Sequence, residues 1–71
     1  MENQRYRGWT RVEGNWGFFS HMMRYQWGRL TEQDLKMARG DRHRLARCLQ
    51  ARYGIPADEA EQQIETFLTL H

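Results

Sequence analysis

The chain has 71 residues, of which 39% are hydrophobic and 13% aromatic, a composition that supports one small packed domain and excludes an intrinsically disordered segment. Eleven basic against nine acidic side chains leave a net charge of +2, short of the surplus that by itself marks a nucleic-acid-binding protein. Cys48 is the only cysteine, which excludes an internal disulfide.

The charge is unevenly spread: residues 1–55 hold all eleven basic groups and five acids, whereas residues 56–71 hold only the acids Asp58, Glu59, Glu61 and Glu65. A basic body with an acidic last segment suggests a charge match inside the molecule. The stretch Met1 to Arg11 is polar and lacks an apolar run of about seven residues, so no signal peptide is expected. Nothing approaches the roughly 18 apolar residues of a membrane span, and a cytoplasmic setting is the expectation.

Met1 to Val12 mixes charge, glycine and aromatics without a period, and residues 1–14 are expected to be an irregular arm, with Trp9 pinning it to the body. Asn15 then caps a first helix, Trp16 to Trp27, with Gly28 as a left-handed stop. At 100° per residue its apolar side chains, Trp16, Phe18, Phe19, Met22, Met23, Tyr25 and Trp27, cover an arc of about 200°, roughly twice what an ordinary surface helix buries. Two readings remain open for that excess. Either the helix lies central in the bundle with the arm and Trp9 over its second side, or Phe18, Met22, Tyr25 and Trp9 present an interface to a protein partner or a second copy.

Thr31 is placed to accept a hydrogen bond from the Asp34 amide while the Asp34 carboxylate suits the positive helix start, and Leu30 and Leu35 hold the two positions of a hydrophobic staple across that cap, which sets a second helix from Glu32 to Arg39 ending at Gly40. Asp41 caps a third helix, Arg42 to Tyr53, with Leu45, Ala46, Leu49 and Tyr53 on the buried stripe and Gly54 as its stop. Pro56 opens a fourth, Ala57 to Thr69, whose inner stripe is Ala57, Ala60, Ile64, Phe67 and Leu68. Short connections between four short helices predict a compact all-α bundle spanning 15–71.

Arg39, Arg42, Arg44, Arg47 and Arg52, with His43, concentrate cations around the third helix, the arrangement of a weak nucleic-acid-binding face unless the acids of the last helix cover it. Metal chemistry has little support: His43 and Cys48 lie about 140° apart around one helix, and His21 and His71 fall on other elements. Catalysis has no recognisable motif. Flanked by Arg44, Arg47 and Arg52, Cys48 is either a thiol of lowered pKa or a small, half-buried helix residue. No catalytic residue, metal, cofactor, small-molecule substrate or membrane attachment is expected.

The residues Asn15-Trp16, Gln26-Trp27-Gly28-Arg29-Leu30-Thr31, Asp34, Gly40, Arg42, Leu45, Gln50-Ala51-Arg52-Tyr53-Gly54, Glu59-Ala60-Glu61, Ile64 and Phe67 form a pattern that resembles the CsbD-like family of small bacterial general-stress proteins. The resemblance runs from about Asn15 to Leu68. It implies a helical bundle that looks like two packed α-hairpins, a link to stress, and no enzymatic residues to carry over. The family's first helix is typically interleaved with lysines, whereas here it reads Gly17-Phe18-Phe19-Ser20-His21-Met22-Met23-Arg24-Tyr25. That departure favours association through apolar contact.

Overall fold

The computed structural model describes residues 7–70. They form five helices in chain order, α1 (Arg7–Gly14), α2 (Trp16–Gln26), α3 (Glu32–Ala38), α4 (Arg42–Tyr53) and α5 (Ala57–Leu70), and no strand. The fold is all-α, as expected, and the last four helices fall on the four read from the sequence. The first does not: residues 7–14 are helical instead of irregular. Positions 1–6 of the expected arm, and His71, lie outside the described residues.

Burial explains α1. With two glycines and only Trp9 and Val12 as apolar side chains, it has little helical propensity of its own, but those two residues stand three apart on one face and both are buried. Tertiary contact stabilises it. The Trp9 Nε1–H donates to the carbonyl oxygen of Gly40 at 2.8 Å, and its ring lies 5.9 Å from that of Trp16.

Two expected helix signals are corrected. Asn15 occupies the cap position of α2, yet its side chain makes no capping bond; it serves as the corner between α1 and α2, its amide donating to Val12 O at 3.1 Å. Gly28 is not left-handed either, because α2 closes through Trp27, whose amide donates to Met23 O at φ −123°. The buried indole of Trp27, bonded to Gln63 Oε1 at 2.9 Å, fixes that exit.

The signals that depend on neighbours in sequence hold. Thr31 Oγ1 accepts from the Asp34 amide while Asp34 Oδ2 accepts from the Thr31 amide, a complete capping box, and Leu30 and Leu35 are buried beside it. Asp41 Oδ1 accepts from the amides of His43 and Arg44. The chain turns between α3 and α4 through Arg39 (φ 52°) and Gly40 (φ 81°), both left-handed, and α4 stops at Gly54 (φ 64°).

α4 is the central element, packed against both α3 and α5. Its Leu45, Ala46 and Leu49 meet Ala60, Ile64 and Phe67 of α5 and Leu35 and Ala38 of α3 in one core, which Phe19 and Met23 of α2 and Trp27 just after it close. Tyr53 and Leu68 are half-buried at its margin, while Ala57 of the expected stripe is exposed. Every buried side-chain nitrogen and oxygen among the described residues has a hydrogen-bond partner.

Candidate interaction surfaces

The apolar arc of α2 is divided by the core. Phe19 and Met23 are buried, Trp16 and Met22 half-buried, and the opposite side of the helix carries Phe18 and Tyr25, 55% and 83% exposed. Seven residues apart, Phe18 and Tyr25 stand about two helical turns from each other on one line. His21 lies between them, its ring edge-on to Tyr25 at 5.4 Å between centroids. Phe18 meets Phe19 edge-on at 5.2 Å, so its ring is anchored at one edge and open at the other.

Of the four residues expected at a partner surface, Phe18 and Tyr25 therefore form an exposed face, with Met22 at its margin. Trp9 does not belong to it. At 5% exposure, with its N–H bonded to Gly40, Trp9 is committed to the core. α1 covers a flank of α2, where the Arg11 guanidinium sits 5.4 Å from the Phe19 ring centre, and leaves the Phe18–Tyr25 line uncovered.

The expected arginine cluster separates into two groups. Arg42 is 5% exposed and points into the α4–α5 contact, its Nε donating to Glu61 Oε1 at 2.9 Å and one terminal nitrogen to Glu65 Oε2 at 2.7 Å. Arg52 makes a fork to Asp34, at 2.7 and 2.9 Å, that bolts α4 to α3. Arg42 is buried, whereas Arg52 is exposed with its fork committed to Asp34. Arg39, Arg44 and Arg47 are exposed. Glu61 and Glu65 of the last helix pair with Arg42, and among the described residues neither lies within ion-pair distance of Arg39, Arg44 or Arg47.

The Asp34–Arg52 pair also governs the local acid–base chemistry. The Arg52 guanidinium, helped by the bonds from Thr31, holds the Asp34 carboxyl at about 2 against an ordinary 3.8, despite partial burial that acts the other way. Asp34 in turn raises the pKa of Arg52. Cys48, half-buried beside them with Sγ 3.9 Å from Asp34 O, has its pKa raised, first by burial and then by the Asp34 charge, which together outweigh Arg52. Of the two readings of Cys48, the half-buried helix residue is the one found; the lowered pKa is not.

Among known proteins, the chain is 39% identical over 61 residues to the UPF0337 protein RPA4217 of Rhodopseudomonas palustris, covering 86% of this chain and 92% of that relative. The chain belongs to the UPF0337, or CsbD-like, family. Other UPF0337 relatives include YjbJ of Escherichia coli K12, 39% identical over 51 residues, 72% of this chain and 74% of that protein. NE2439 of Nitrosomonas europaea is 35% identical over 60 residues, 84% of this chain and 64% of its own length. No family model and no solved structure matches the chain.

The residues that carry the CsbD-like resemblance have structural work in this fold. Trp16 donates to Leu35 O, Trp27 to Gln63, and the Arg29 amide to the Tyr53 hydroxyl; Thr31 and Asp34 form the cap, Gly40 receives Trp9, and Arg42 ties α4 to α5. Phe18 and Tyr25 lie outside that pattern. No helix among the described residues is long and apolar enough to cross a membrane.

Proposed function

We propose that this chain is a non-enzymatic, cytoplasmic, stress-associated CsbD-like protein that works through protein contacts made by the outward face of α2. The observation that carries the reading is the exposure of Phe18 and Tyr25 on one line of a helix whose inner side already satisfies the core. Large aromatics left in water with Met22 beside them are the residue types that dominate adaptable protein interfaces. The non-enzymatic part is supported by Cys48, the one nucleophile the sequence singles out, whose half-buried thiol is held toward its protonated form. The stress association follows from the family resemblance.

The test is a crosslinked pull-down from stressed cells, run in parallel with the wild type and the double variant Phe18→Ser/Tyr25→Ser. A defined protein recovered by the wild type and lost by a folded double variant is the expected result. Identical recoveries by the two chains would overturn the reading.

A further inference from the structure

We propose that the outer face of α4 is a second, independent surface that binds the phosphate backbone of nucleic acid without regard to sequence. α4 contains four arginines and a histidine and not one acid. The fold then sorts these cations. Arg42 is buried against Glu61 and Glu65, and Arg52, 45% exposed, is forked to Asp34.

What remains outside is a group of concordant charge. Arg44 and Arg47 lie one turn apart on the side of α4 opposite Leu45 and Leu49, and Arg39, in the left-handed turn that leads into the helix, lines with Arg44 a surface cleft that Glu13, Asp41 and Glu61 also line. Arg44 is braced, donating to Met37 O at 3.4 Å and standing 3.9 Å from Asp41 Oδ2. Among the described residues Asp41 is the one acid within ion-pair distance of this outer group, and its other oxygen is occupied by the α4 cap. Farther along the same side Ala51 is exposed, a small residue that lets a polymer backbone approach. Guanidinium groups are suited to phosphate oxygens, which they meet with paired donors.

Three cations set the size of the effect. Neutralising about three phosphates gives a slope of log K against log salt of about −2 on single strands and nearer −3 on duplex, so single-strand affinity falls about 20-fold between 50 and 200 mM salt. The measurement is fluorescence anisotropy of labelled single-stranded and duplex DNA titrated with the full chain across that salt range. Arg44→Gln/Arg47→Gln, at positions that no core contact uses, is expected to abolish most of the binding at 50 mM salt and flatten the slope. Phe18→Ser/Tyr25→Ser is expected to bind as the wild type, which separates this surface from that of α2. No binding at 50 mM salt, a slope near zero, or full binding by a folded Arg44→Gln/Arg47→Gln chain would each overturn the proposal.

Discussion

The indole nitrogen of Trp9 donates a 2.8 Å hydrogen bond to the carbonyl oxygen of Gly40, and this contact, spanning 31 positions of sequence, joins α1 to the turn between α3 and α4. Trp9→Phe keeps an aromatic ring and removes the donor, leaving the Gly40 carbonyl without that partner. A loss of about 1–2 kcal/mol is expected in denaturant unfolding. Trp9→Ala also opens a cavity, and its cost rises to about 3–5 kcal/mol. Equal midpoints for wild type and Trp9→Phe would show that the bond adds nothing.

Arg42 is the one buried charge among the described residues, and its two glutamate partners keep partial access to water, at 32% and 43% side-chain exposure. Removing the arginine therefore does not strand a carboxylate in a dry site, and the loss is mainly of packing and of the clasp between α4 and α5. Arg42→Ala is expected to cost about 2–3 kcal/mol, and Arg42→Met, which restores volume, less than half of that. Thermal unfolding of the two variants side by side checks the order; Met as damaging as Ala would contradict it.

Asp34 gives the acid limb of the stability curve. Its folded pKa of about 2 lies below the ordinary 3.8, so the stabilisation is fully present above pH 4 and is lost as pH falls from about 4 through 2. Solvent screening of a pair partly open to water limits it to roughly 1 kcal/mol. Asp34→Asn, which abolishes the ion pair and weakens the cap, is expected to be less stable at pH 7 and to lose less on going to pH 2. Parallel acid limbs in urea unfolding would refute the assignment.

Cys48 is expected to react slowly. Because burial and Asp34 both raise its pKa above 9.0, alkylation by iodoacetamide should run below the rate of an exposed peptide thiol at pH 8, with a pH midpoint higher than that thiol's. A faster reaction would mean that Arg52 controls the sulfur instead.

What the sequence made legible was local. Thr31 with Asp34, Asp41 before α4, and Gly54 after it are devices that close within four residues, and each is found as read. α1 was illegible because two apolar residues among eight carry no period, and its stability comes from burial of Trp9 and Val12 against distant elements. Gly28 misled because the helix end is fixed by Trp27 and Gln63, 36 positions apart. At the surface, the sequence supplied residue types without their sorting: five arginines are equal in sequence, and only packing buries Arg42 and forks Arg52 to Asp34. The same holds for Trp9 against Phe18 and Tyr25.

The central claim, that the outward face of α2 is where a protein partner docks, is tested most directly by a photo-crosslinking amino acid placed at position 25 and, separately, at exposed Gln33 of α3. In stressed cells a discrete crosslinked protein is expected from position 25 and not from position 33, and it should disappear when Phe18→Ser is added. Crosslinks of equal yield from both positions, or none from position 25, would contradict the account.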